Sequence, residues 1–215
     1  MSPIADVSIR VGVVVASLSL WFWTQKLLGA RKPPGGARRD RLHEWTAPLH
    51  RRLEASPRAA DAVLIASSAV VDLLGLWLLA SAILGPTFRP FVALGTLFAL
   101  RQACQALVAL PAPPGMIWRD PGFPALLVTY KVGNDFFFSG HTAIAVLGAI
   151  EVARAGPPWL GAVAAGVAFA EAAVVIVLRA HWTLDVVAGA LAAAGCALLA
   201  DRLAPAVDGL LRLPG

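Results

Sequence analysis

Asn134-Asp-Phe-Phe-Phe-Ser-Gly-His-Thr142 and, forty residues later, Arg179-Ala-His-Trp-Thr-Leu-Asp185 decide how this chain is read. Each places a histidine at the start of an apolar run. Together they supply two imidazoles, a carboxylate and an arginine. At a helix start Ser139 is a natural N-cap, and the free amides of that end, with Gly140 among them, suit an anion. His181 and Asp185 are four residues apart, which on a helix stacks them on one face. A carboxylate so placed accepts a hydrogen bond from one ring nitrogen, fixes the tautomer and leaves the other nitrogen as a nucleophile. Arg179 adds a planar donor fork for phosphoryl oxygens. Taken singly these residues say less: an interfacial histidine is commonly an amphipathic anchor, an aspartate in a first turn is favoured by the helix dipole, and two histidines with carboxylates also suit zinc.

The surroundings of both stretches belong to a membrane. Of 215 residues 58% are hydrophobic and only 14% charged, and the mean hydropathy is +0.72, which does not fit a soluble domain. A net charge of +5 with a pI near 10.0 then reads as loop arginines near anionic headgroups and excludes nucleic acid as the partner. Cys104 and Cys196 lie inside apolar runs as small buried residues.

The expected fold is an all-α integral membrane bundle of six transmembrane helices in a single domain, 1–215. The spans fall at about 9–30, 62–85, 91–110, 136–153, 159–178 and 182–200, with a polar loop at 31–58. Arg41 to Leu53 in that loop is expected as an amphipathic helix on the bilayer surface. Gly161, Ala165, Gly189, Ala192 and Gly195 are expected at close helix contacts. With six spans, the loops after the first, third and fifth share one face, and both histidine stretches lie there. Asp72, Arg101 and Glu171 come out about 10 to 15 Å below that face, as a charged cluster that is either an ion pair or the floor of a headgroup cavity.

These motifs resemble the type 2 phosphatidic acid phosphatase superfamily, and more closely its sphingomyelin synthase branch. The family's Ser-Gly-His-Thr and His-aromatic-Thr-x-Asp-Val motifs read Ser139-Gly-His-Thr142 and His181-Trp-Thr-Leu-Asp-Val186. Asp135-Phe-Phe-Phe138 matches the aromatic segment that the synthase branch carries before Ser-Gly-His. Gly95-Thr-Leu97, Arg101 and Leu110-Pro-Ala-Pro-Pro-Gly-Met116 match a further motif, with one extra proline. Two departures separate the chain from the phosphatases themselves: Ala82 stands where they carry a lysine, and Phe138 where they carry a proline.

The resemblance implies a lipid phosphotransferase. His181, oriented by Asp185, attacks phosphorus while His141 protonates the departing alcohol. The headgroup rests on His181 until His141 activates an incoming hydroxyl. Asp135, Phe136, Phe138, Ser139, Gly140, Arg179 and Arg101 are the implied substrate contacts, with no metal or cofactor. The partners are membrane lipids, a phosphocholine or phosphoethanolamine donor and a ceramide or diacylglycerol-type acceptor. A hydrolase of the same fold and a non-catalytic lipid-binding protein remain alternatives. The excess of Lys and Arg on the catalytic face points to the cytoplasm, whereas the resemblance implies an exoplasmic face.

Overall fold

The computed structural model describes residues 3–29, 39–128, 130 and 136–211, which form helices and connecting segments with no strand among them. In chain order the helices are α1 (Pro3–Gly29), α2 (Arg41–Trp45), α3 (Ala47–Glu54), α4 (Pro57–Leu84), α5 (Arg89–Leu107), α6 (Gly140–Ala155), α7 (Pro158–Val177) and α8 (Thr183–Leu211). Prolines open α3, α4, α5 and α7 within their first two positions, where a missing amide costs nothing and the fixed φ favours the helix. α8 packs against both α5 and α6, α6 against α7, and α4 lies across α5 and α6.

Four of these helices, α1, α4, α7 and α8, are long and apolar enough to cross a membrane, compatible with a multi-pass integral membrane protein. This is fewer than the six spans expected. α6 has 16 residues, about 24 Å at 1.5 Å each, against a hydrocarbon core of about 30 Å. α5 carries Arg89, Arg101, Gln102 and Gln105 in its 19 residues. Leu73, Phe169, Leu191 and Leu198 point outward, each more than 60% exposed, as expected of surfaces solvated by lipid.

The boundaries shift for identifiable reasons. α1 starts at Pro3, six residues earlier than expected, because buried Arg10 is neutralised by Asp6 and donates to the carbonyls of Ala82 and Gly85 at the end of α4. α5 stops at Leu107, ahead of the proline-rich run. α6 starts at Gly140 rather than 136: the Phe136 carbonyl accepts from His181 and the Phe138 carbonyl from Arg101, so neither begins a helical ladder. α8 continues through Pro205 to Leu211, its last turn held where Asp208 accepts from the Thr87 hydroxyl and the Phe88 amide.

Arg41 to Leu53 divides at Thr46 into α2 and α3, and its buried face turns onto the protein. The expected charged cluster does not form. Asp72 accepts from the amides of Leu126 and Leu127 at 2.8 Å, Glu171 accepts from the Ser67 hydroxyl, and among the described residues no ion pair joins Arg101 to either carboxylate. The ion-pair network lies at the opposite end of the bundle, where Arg89 meets Glu151 and Asp201, and Asp201 also accepts from Arg154 at 2.7 Å; it ties α5, α6 and α8.

Two of the small residues make close contacts. Gly161 lies against Ala153, and a Cβ on Gly189 would stand 2.6 Å from the Ser139 carbonyl oxygen. Ala165 and Gly195 face outward instead. Gly189→Val therefore forces α8 away from the start of α6. The expected loss is about 1–3 kcal/mol, read as a lower unfolding temperature of the purified protein, with less effect from Gly195→Val.

Candidate active site

Both histidine stretches end at one place. The Ser139 amide donates to the Asp185 carbonyl at 3.0 Å, so the starts of α6 and α8 are joined through the main chain. Ser139 is the N-cap of α6, its hydroxyl accepting from the Thr142 amide at 3.3 Å and from the Thr142 hydroxyl at 3.1 Å. That cap sets His141 in the first turn of α6, 8% exposed, with the Trp118 ring edge-on at 5.0 Å. Its Nε2 has no hydrogen-bond partner among the described residues.

His181 is not on the helix with Asp185. It lies two residues ahead of α8, and its Nδ1 is 3.9 Å from Asp185 Oδ2, beyond hydrogen-bonding range. The partner of Nδ1 is the Phe136 carbonyl, at 2.9 Å. A carbonyl only accepts, so Nδ1 carries the proton and Nε2 keeps the lone pair. Asp185, fully buried, accepts from the Trp182 amide at 3.1 Å while its own amide donates to the Trp182 carbonyl. This is half of a capping box and holds the residue next to His181. The other oxygen, Oδ1, is buried with no partner among the described residues, beside the His181 ring.

The two histidines line one cavity of about 40 Å³, with Gly140, Arg101, Trp21, Phe98, Trp118 and Phe136 among its other walls. The Arg101 guanidinium donates from Nε to the Phe138 carbonyl at 3.1 Å and lies against the start of α6, where a Cβ on Gly140 would crowd it at 3.3 Å. A guanidinium and a helix N-terminus at one wall form an anion-binding surface. Phe138 itself is packed in the main core. The Arg179 guanidinium is outside the cavity lining and donates to the Pro114 carbonyl at 2.9 Å. Asp135 lies outside the described residues.

Arg179 also has an unusual backbone, φ 54°. Its amide donates to the Ile176 carbonyl and that of Ala180 to Val175, which is the Schellman pattern that closes a helix with a left-handed residue. Glycine is favoured there; the arginine costs about 1 kcal/mol more.

Asp40, His43 and His50 were not among the sequence candidates, yet all three hold the turn that carries Arg179 and His181. The Asp40 carboxylate caps α2 through the amides of Leu42 and His43, and it also accepts from the Thr183 amide at 2.7 Å and hydroxyl at 2.6 Å. His43 Nε2 meets the His181 carbonyl at 3.0 Å, with its ring stacked on Trp182 at 5.7 Å. His50 Nδ1 meets the Val177 carbonyl at 2.8 Å. The sequence signal was available in part: Asp40 is an N-cap residue, and His43 and His50, seven apart, share a helix face in a loop otherwise rich in arginine.

Burial pushes the Asp40 carboxyl up, but the bonds from Thr183 and the neighbouring His43 outweigh it and hold the group below its usual 3.8. Burial lowers His43 below 6.5 by more than the charge of Asp40 raises it. A histidine with a depressed folded pKa contributes stability that is complete above its unfolded value and is lost as pH falls. The difference in unfolding temperature between the native chain and His43→Gln is therefore expected to narrow from about pH 7 to about pH 5, measured by thermal unfolding in detergent.

No curated protein and no solved structure matches it significantly. The family model described as AtPDCT1/2 matches residues 40–202, well over half of the chain, from Asp40 through both His141 and His181. The chain belongs to this phosphatidylcholine:diacylglycerol cholinephosphotransferase-like family, a family of lipid phosphotransferases.

Proposed function

We propose that this chain moves phosphocholine from phosphatidylcholine to diacylglycerol through a phosphohistidine on His181. The observation that carries the reading is the single cavity lined by His141, His181 and Arg101, with a His181 tautomer that leaves Nε2 as the nucleophile. The family description supports the donor and the acceptor. The motif resemblance to sphingomyelin synthases supports the two-histidine chemistry.

In the first half-reaction the Nε2 lone pair forms a bond to phosphorus as the P–O bond to the glyceryl oxygen breaks. That oxygen takes the electron pair and a proton from His141, releasing diacylglycerol. The buried Asp185 carboxylate balances the charge that gathers on the His181 ring, and Arg101 with the α6 N-terminus faces the phosphoryl oxygens. In the second, His141 accepts the proton of an acceptor hydroxyl. Its oxygen bonds to phosphorus, the N–P bond breaks, and the electron pair returns to Nε2. Trp21, Phe98, Trp118 and Phe136 in the cavity wall suit the quaternary ammonium through cation–π contact. Arg179, outside the cavity lining, positions the turn that bears His181 in this scheme by holding it to the Pro114 carbonyl.

The architecture fits six membrane passages, with α5 and α6 joining the four apolar helices. On that reading the short α6 begins below the headgroup level, and its first turn meets a phosphate that the membrane presents from above.

Purified protein given labelled phosphatidylcholine and unlabelled diacylglycerol is expected to return labelled phosphatidylcholine carrying the acceptor's acyl chains. A labelled sphingolipid formed only with ceramide would replace the acceptor assignment, and free phosphocholine alone would replace transfer by hydrolysis. His181→Ala is expected to abolish turnover together with an acid-labile phosphoprotein; persistence of either rejects the covalent scheme. Arg179→Gly removes a left-handed arginine and one hydrogen bond, each worth about 1 kcal/mol, so its unfolding temperature is expected to stay close to that of the native chain while turnover falls.

A further inference from the structure

A second cavity adjoins the first. It has a volume of about 420 Å³, lies between α1 and α5, and is bounded by Leu18, Leu20, Phe91, Leu94, Gly95 and Ala99, with Thr24 and Gln102 among its few polar groups. Trp21 and Phe98 line both cavities. Their rings stack at 4.7 Å and 13°, so this pair is the partition between the groove and the chamber that holds His141 and His181.

We infer that the groove between α1 and α5 is the binding site for an acyl chain of the neutral lipid acceptor, diacylglycerol, seated so that its hydroxyl passes the Trp21–Phe98 partition toward His141. This rests on the phosphotransferase reading given above. Three features specify the occupant. The groove flanks α1, a helix apolar enough to cross a membrane, so it is filled from the lipid phase. Among the described residues its lining holds no charged side chain, and a zwitterionic headgroup drawn through it would lose its hydration without a charged partner, whereas a lipid with one hydroxyl would not. The shared aromatic pair also places it directly beside the reacting centre, one stacked layer away.

Gly95 makes the idea testable. A Cβ there meets nothing closer than the Phe91 ring at 4.0 Å, so a larger side chain grows into the groove, and leucine is the better helix former. Ala99 is exposed and lines the same groove, so Ala99→Phe is a second, independent filling variant. Displacing two methylenes of an acyl chain corresponds to about tenfold in affinity.

The native chain, Gly95→Leu and Ala99→Phe are compared for headgroup transfer to dioctanoylglycerol and to dioleoylglycerol, and in parallel from phosphatidylcholines of the same two chain lengths. Both variants are expected to raise the short-to-long ratio about tenfold for acceptors and for donors alike, because the donor's diacylglycerol leaves through the same transition state by which the acceptor enters. An acceptor ratio that does not move in either variant overturns the assignment. So does equal loss with both acceptors, or a donor ratio that stays unchanged while the acceptor ratio moves. If the native chain transfers phosphocholine to no lipid alcohol, the phosphotransferase reading falls and this one with it; if it transfers and only the ratio fails to respond, the groove assignment alone is lost.

Discussion

One main-chain hydrogen bond, from the Ser139 amide to the Asp185 carbonyl at 3.0 Å, holds the start of α6 against the start of α8. Everything chemical in the chain depends on that junction, because it converts two motifs far apart in sequence into one site. The contact is possible only where α8 presents no side chain, at Gly189, and it is reinforced on both sides. Ser139 caps α6 with its hydroxyl while Asp185 reaches back over the first turn of α8. At the far end of the same helices Arg89, Glu151, Arg154 and Asp201 fix their spacing. Two anchored ends and a glycine contact define the geometry between them more rigidly than apolar packing alone, since in a lipid environment burying Leu against Leu gives little direction.

The turn that bears His181 is built differently. No regular helix contains His181; the preceding helix closes in a left-handed arginine, the following one starts two residues later, and the turn between is held from outside by Asp40, His43 and His50. The first turn of α8 thus receives carboxylates from Asp40 and Asp185 where its amides lack partners, which is also where the helix dipole favours negative charge. A polar segment that hydropathy alone would assign to the surface is in fact the scaffold of the active turn.

Much of this was legible in sequence. Ser139 as a cap follows from a local rule, and the placing of His141 and His181 on one face came from the count of spans rather than from any local pattern. What failed was the face periodicity drawn from His181 to Asp185: the turn breaks before the helix begins, and the orienting acceptor for His181 is a backbone carbonyl, Phe136, which carries no sequence signal. The expected cluster of Asp72, Arg101 and Glu171 failed for a related reason. Shared depth along parallel helices says nothing about azimuth, and each group found a nearer partner on a loop or a neighbouring hydroxyl. The contacts of Asp40, His43 and His50 span well over a hundred residues, a separation that no local pattern encodes.

The small volume around the two imidazoles bears on fidelity. In the proposed cycle a phosphorylated imidazole waits for an alcohol, and water is an alcohol's competitor at 55-molar excess in any open cleft, roughly the concentration of the pure liquid. A chamber of about 40 Å³ has room for very few water molecules, and four of its wall residues are aromatic: Trp21, Phe98, Trp118 and Phe136. The choice between transfer and wasteful hydrolysis is then decided by how little solvent the chamber stores. No residue has to tell one hydroxyl group from another.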